Sequence, residues 1–254
     1  LCRVLQAIAS SSVRRGHALP YKQGDDWDAI RSRHAKMNEM MDKLTTQRGR
    51  CSISGNFMDV SHSAARRHLY ISPERENEQG GYTPTNYSFI CACFNVGYGA
   101  QWTSAKFKLA RQTVLSTSPL PPHPFPTTVP RDKHGNDVIR YMITNARKDQ
   151  TERNARPGYV CTTGDAFEVT YEWVQMQWER QGGRCHWIKM PLQLTGKHWR
   201  LSIERKDDNA GYTLDNCVLV CREMQCAGRG GDADAEAHWQ WNRRMVHDMF
   251  RLDE

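Results

Sequence analysis

The chain has 254 residues, enough for one large domain or two ordinary ones, and its eight Trp, nine Tyr and seven Phe exclude wholesale disorder. Its formal charge of +7 favours a polyanionic partner, and no apolar run approaches the ~18–20 residues of a membrane span. Nine Cys, an odd number scattered over a long chain, argue against a secreted disulfide framework and favour a reducing, intracellular compartment.

The opening stretch to Gly24 carries Arg3, Arg14, Arg15 and Lys22 with several Ser and no acid, as the tail of an organelle transit peptide does; a basic helix is the plainer reading. A helix is predicted over residues 27–46, with Ile30, His34, Met37, Met41 and Leu44 near helical spacing, and its counterpart over 169–181. Gly49 and Gly183 end those helices. A short hairpin follows each Arg-Cys, with residues 69–71 and 199–203 read as its second strands. The Gly-Tyr-Thr blocks read as turns, and helices are expected to begin near Ile90 and Val220. Final helices are placed at 104–112 and 234–250, the second opening on the acidic run 232–236.

Between these segments lies a stretch with Pro119, Pro121, Pro122, Pro124, Pro126 and Pro130, which forbids a helix or a central strand and predicts a stiff connector. The flanking segments look alike. Ser72, Glu74-Arg75, Gly81-Tyr82-Thr83, Asn86 and Cys91 coincide without a gap with Ser202, Glu204-Arg205, Gly211-Tyr212-Thr213, Asn216 and Cys221, and Gln47-Arg-Gly-Arg-Cys51 echoes Gln181-Gly-Gly-Arg-Cys185. The expectation is an α+β chain of two small repeated units, each helix, β-hairpin, loop and helix. The first spans residues 1–115, a Pro-rich linker 116–135, and the second 136–254.

These blocks resemble the HNH, or ββα-metal, endonuclease family, in the branch that reads roughly Gln-Gly-Gly-x-Cys, Ser-x-Asp-Arg-x-Asp, Gly-Tyr, Asn and Cys-x-x-x-Asn. The second copy matches better. In such a site a hairpin and a helix hold one divalent cation, which takes a scissile phosphate oxygen, while a neighbouring His activates water. The resemblance implies Glu204 as acid and metal ligand, Asp207 as an extra carboxylate, Asn216 as the loop-fixing Asn, and Gln225 at the helix ligand position. Glu74, Arg75, Asn86 and Asn95 fill the corresponding slots of the first copy, where Asn77 replaces Asp207.

The departures bear on chemistry. Arg75 and Arg205 stand where the general base belongs, and a guanidinium stays protonated; it can instead pair with phosphate. Glu replaces Asp, and Gln225 is a poor metal ligand. Relatives also brace the fold with two Cys-x-x-Cys zinc knuckles, of which only Cys51 and Cys91, Cys185 and Cys221 remain. Ser54, Phe94, Ile188 and Met224 occupy the other places, and Cys217 and Cys226 have the wrong spacing. These cysteines therefore read as small buried hydrophobes.

Lys133, His134, Arg140, Arg147, Lys148 and Arg153 crowd the entry to the second copy. Trp187, Trp199, Trp239 and Trp241 lie among His186, Lys189, Lys197, His198 and Arg200. Such interleaving suits phosphate contact with base stacking, with Arg75, Arg205, Lys206, Arg200 and Lys197 as the nucleic-acid candidates; it equally describes core aromatics beside solvated charge. Three functions follow. One is a non-catalytic nucleic-acid-binding protein, RNA preferred, set with other proteins in a ribonucleoprotein such as an organellar (mitochondrial) ribosome and needing neither Mg nor structural Zn. The second is an Mg-dependent endonuclease whose second copy is catalytic through Glu204, Asp207 and Asn216. The third is a protein–protein scaffold.

Overall fold

The computed structural model describes residues 27–59, 64–77, 79–95, 102–132, 134–225 and 237–250. The basic opening stretch, Lys133, Cys226, the acidic run 232–236 and the side chains of Ile30, His34 and Trp241 lie outside the described residues. The fold is mixed α+β. In chain order it comprises α1 (Trp27–Thr46), β1 (Ile71–Arg75), β2 (Tyr87–Cys91), α2 (Ser104–Leu115), α3 (Val138–Asn154), α4 (Tyr171–Arg180), β3 (Leu201–Arg205), β4 (Cys217–Cys221), α5 (Arg222–Gln225) and α6 (Ala237–Met245). A wide π-type turn, Val246–Phe250, extends α6. Among the described residues no helix is long and apolar enough to cross a membrane.

The chain divides into two compact units, one through Asn95 and one from Val96. In the first, β1 and β2 form an antiparallel hairpin with Ile71 opposite Cys91 and Arg75 opposite Tyr87. In the second, β3 and β4 do the same with Leu201 opposite Cys221 and Arg205 opposite Cys217. The strand assignment corrects the sequence expectation. Residues 69–71 and 199–203 lead into the first strand of each hairpin. The stretches at Ile90 and Val220 are its second strand, with a 3₁₀ turn (Ala92–Phe94) or α5 following. Tyr87, Phe89, Val218 and Val220 are aromatic or β-branched, which favours the extended chain there.

The Gln-x-Gly-Arg-Cys segments now have a physical reason. Gln181, just past α4, donates Nε2 to the Leu219 carbonyl (2.8 Å) and accepts from Leu219 N (3.0 Å), so an amide side chain serves as one more rung on β4. Gln47 makes the same pair with Phe89 of β2, both at 2.9 Å. Arg184 Nη1 donates to the Lys189 carbonyl at 3.0 Å and Arg50 Nη1 to that of Gly55 at 2.9 Å, each closing the turn after its Cys. Cys185 Sγ accepts from Cys221 N, and Cys51 Sγ from Cys91 N, both at 3.3 Å. Gly183 and Gly49 hold φ of +69° and +66°, and each N–H reaches back to the carbonyl five residues earlier, ending the helix.

The core of the first unit gathers Met40, Tyr87, Phe89 and Phe94 around the hairpin. Met40, fully buried, faces inward while Met41 is nearly half exposed, a one-residue shift from the spacing read in the sequence. The second unit buries Val174, Trp178, Ile188, Leu192, Leu219 and Met224. Two of its elements were placed differently from sequence. Helix α2, assigned there to the first copy, belongs to the second unit. Thr103 caps it, accepting from Lys106 N. Its Lys106 Nζ pairs with Glu223 Oε1 of α5 at 2.7 Å, almost wholly out of water, and Phe107 meets Phe250 at 5.2 Å between ring centroids. Helix α3 was not anticipated. Asp137 caps it through Ile139 N and Arg140 N, and Val138, Ile139, Ala146 and Gln150 form its buried stripe.

The Pro-rich stretch is extended, as its prolines require, but it is no free spacer. His123 N donates to the Gly182 carbonyl (2.8 Å), Trp178 Nε1 donates to the His123 carbonyl (2.7 Å), and Arg184 Nη2 reaches the Pro121 carbonyl (2.8 Å). Phe125 sets its ring edge-on to Trp178 and Tyr171. The segment thus lies along α4 with an indole donor fixing its backbone.

Candidate functional site

The loop joining β3 to β4 is built around one amide. Asn216 Oδ1 accepts from Asp207 N (2.8 Å), and its Nδ2 donates to the carbonyls of Asp207 (3.0 Å) and Gly211 (2.9 Å). Asn86 makes the same three bonds to Asn77 and Gly81, at 2.8, 3.0 and 2.8 Å. Asp207 Oδ1 accepts from Asn209 N, an Asx-type turn, so the carboxylate shapes the loop from an exposed position. Asn77 does likewise with Gln79 N.

Arg205 lies inside that loop. Its Nη1 donates to the carbonyls of Asp208 (2.7 Å) and Ala210 (2.6 Å), its Nη2 meets Asp208 Oδ1 at 3.0 Å, and it sits over the Tyr212 ring. Arg75 donates to the Gly80 carbonyl and sits over Tyr82. Both are only 8 % exposed. The placing of these two arginines on a phosphate-binding face is therefore corrected: their donors are turned inward, where a buried loop carbonyl would otherwise lack a partner.

Glu204, at the carboxylate position, is 6 % exposed and covered by α6, whose fully buried Asn242 offers Nδ2 to Oε1 at 3.4 Å. Burial pushes its pKa well above the ordinary value, Asp208 adds to this, and Arg205 opposes it. Asn242 Oδ1 has no hydrogen-bond partner among the described residues. Gln225 is occupied elsewhere: Nε2 donates to the Ile203 carbonyl (2.9 Å) and Oε1 accepts from Ser202 Oγ. Asn95 likewise bonds Ser72 Oγ and the Pro73 carbonyl. These two amides fasten the short helical turn to the first strand of each hairpin. Glu74 is half-buried.

These donors do not fit a divalent cation. A buried, amide-covered carboxyl and an amide spent on its own strand leave no convergent set of anionic oxygens. No group of three His, Cys, Asp or Glu side chains converges among the described residues. The cysteines fall short of a zinc site for a comparable reason. Each unit brings two sulfurs together, and Phe94, Ile188 and Met224 fill the neighbouring positions at 2 % exposure or less. A hydrogen bond with the Cys91 thiol lowers the Cys51 pKa below its ordinary value.

The basic and aromatic side chains sort into two kinds. Trp199 is core, edge-on to Trp102 with Lys106 over its face. Arg140, Arg147 and Arg153 lie over Tyr171, Phe167 and Tyr212, while Lys148 pairs with Glu152 in the open. Lys197, His198 and His134 are exposed, and Lys206 donates to the Asp215 carbonyl from an exposed position. By contrast, His186, Trp187 and Trp239 form a half-exposed trio, with Trp187 and Trp239 centroids 4.3 Å apart and His186 at 5.0 and 5.2 Å. Burial, then Lys189 and Lys206, lower the His186 pKa to about 4, so the ring is neutral at pH 7.

A cleft of about 340 Å³ opens between α3, β3 and α5. Ile139, Met142, Leu201 and Ile203 form its apolar part, and Arg200, Arg222, Asn145, Asp149 and Tyr141 line it with polar atoms. Sequence reasoning missed it because α3 was missed. The signal was present in Val138, Ile139, Met142, Asn145, Ala146 and Asp149, which share one helical face behind an Asp cap. No family model matches the chain, and no curated protein or solved structure matches it.

Proposed function

We propose that the protein is a non-catalytic nucleic-acid-binding protein, with RNA the preferred partner, built from two copies of one unit related to the HNH nucleases and set within a ribonucleoprotein such as an organellar ribosome. The observation that carries the loss of catalysis is the burial of Glu204 beneath Asn242. Where water and a cation would have to meet phosphate there is a covered carboxyl, and the neighbouring Arg205 can accept no proton. The matched hairpin registers and the repeated Gln, Arg, Cys and Asn bonds support duplication. The charge of +7 and the half-exposed rings of Trp187 and Trp239, grouped with His186 to which Lys189 and Lys206 lie near, support the retained grip on nucleic acid.

The test is incubation of the full chain with supercoiled DNA and with structured RNA, in Mg²⁺ or Mn²⁺, beside Glu204→Gln. Neither protein should cut, and both should bind RNA with an affinity that falls steeply as salt rises. Divalent-dependent nicking by wild type that Glu204→Gln abolishes would overturn the reading in favour of a working nuclease. Absence of binding at every salt concentration would leave a protein–protein scaffold.

A further inference from the structure

We infer that the cleft between α3 and β3 is a pocket for one nucleotide, its phosphate held by Arg200 and Arg222 and its base lying against Met142 with an amino-bearing edge toward Asp149. The assignment rests on the nucleic-acid reading and gives it a location. Several features converge there. Arg200 and Arg222 are neighbours, joined through Arg222 N to the Arg200 carbonyl (2.8 Å), so two guanidiniums stand at the same end of the cleft. Each is half-exposed, and neither has a side-chain hydrogen bond or ion pair among the described residues. That sets them apart from Arg184 and Arg205, bonded to carbonyls, and from Arg140, Arg147 and Arg153, laid over aromatic rings.

The opposite end offers a carboxylate, close to the guanidiniums of Arg153 and Arg205 over the Tyr212 ring. Asp149 lines it beside Tyr212, and Tyr212 marks the loop end of β3 because Arg205, the last residue of that strand, reaches its ring. From Arg200 to Ile203 the strand advances about 10 Å, the scale of one nucleotide from phosphate to base edge. Between the ends the lining is apolar, with Met142 half-exposed and Ile139 and Leu201 behind it. Asn145 stands midway along α3, and its amide, like the Asp149 carboxylate, has no hydrogen-bond partner among the described residues. Cations at one end, an apolar middle and a carboxylate at the other match a phosphate, a flat base and an exocyclic amino group in that order. A carboxylate accepts from such an amino group, and uracil has none. The volume lies at the small end of the range for ligand pockets, which suits a single nucleotide.

The test uses the full chain and fluorescein-labelled single-stranded 12-mers of adenine, cytosine and uracil in a polarisation titration, with circular dichroism verifying that each variant folds. Wild type should prefer the adenine and cytosine strands to uracil. Arg200→Ala with Arg222→Ala should weaken binding by about tenfold or more and flatten its salt dependence. Asp149→Asn should narrow the gap between cytosine and uracil with little loss for uracil. AMP and CMP should displace the strand better than inorganic phosphate does. Affinity that grows with strand length identifies a residue of a nucleic acid as the ligand, and calorimetric binding of AMP as tight as that of the 12-mer identifies a free nucleotide. Equal displacement by inorganic phosphate would reduce the cleft to an anion site and overturn the assignment. Strand binding unchanged in the double Arg variant would also overturn it while leaving the nucleic-acid reading standing. A wild type that binds no strand overturns both.

Discussion

Gly183→Ala and Gly49→Ala form a matched pair of perturbations whose outcomes should differ. Both glycines close a helix with nearly the same positive φ, and a Cβ in the left-handed region costs about 1–2 kcal/mol wherever it occurs. At Gly49 nothing lies within 4 Å of the added carbon. At Gly183 it would meet the His123 carbonyl oxygen at 2.2 Å and Trp178 Nε1 at 2.7 Å, so the Pro-rich segment has to leave. Departure breaks the His123–Gly182 and Trp178–His123 bonds, worth roughly 1 kcal/mol each net. It also separates the Phe125 and Trp178 rings, worth about 0.5–1.5 kcal/mol. Gly183→Ala should therefore cost about 4 kcal/mol in its unit and Gly49→Ala about 1–2 kcal/mol. Peptide-resolved hydrogen exchange under a urea series reads the two units separately, which matters because two compact units need not unfold in one transition. The His123 amide should lose protection in Gly183→Ala alone. Equal losses in the two variants, or a His123 amide still protected in Gly183→Ala, would show that the segment is not held by this turn.

Lys106→Ala leaves Glu223 buried without its cation and should destabilise the second unit by about 3–5 kcal/mol, seen as an earlier urea midpoint in tryptophan emission; an unchanged midpoint refutes the role of this pair. Glu204 binds its proton more tightly when folded than unfolded. Its contribution is therefore complete below the ordinary carboxyl value of 4.5 and is lost as pH rises through its elevated folded value. Glu204→Gln should remove that loss and raise stability near neutral pH relative to wild type, measured as the difference in thermal midpoint between pH 5 and pH 8. A variant as pH-dependent as wild type would show that this carboxyl is ionised in the fold.

What could be read beforehand was whatever is local. The helix over Trp27–Thr46 and the glycine stops were visible because helix length and termination depend on residues near in sequence. The strand at Ile90 and Val220 was misread as a helix start because its apolar run has no periodicity that separates a buried strand from a buried helix. Asn216 was legible as a loop residue, since an Asx side chain beside a turn bonds nearby backbone. Arg205 was not: whether a guanidinium points to solvent or into its own loop depends on carbonyls that only the folded hairpin brings together. The covering of Glu204 was equally hidden, because Asn242 is distant in sequence and joins the site only when α6 docks.

The second unit closes with its first described residues against its last. Trp102 meets Phe250 at 5.9 Å and Phe107 meets it at 5.2 Å. A chain emerging from the ribosome in order makes α2 early and this part of its cover last, so the contacts of Trp102 and Phe107 with Phe250 wait through the synthesis of nearly all the described residues of the unit. Contacts of such long separation are slow to form, and the apolar surface meanwhile exposed is of the kind chaperones bind.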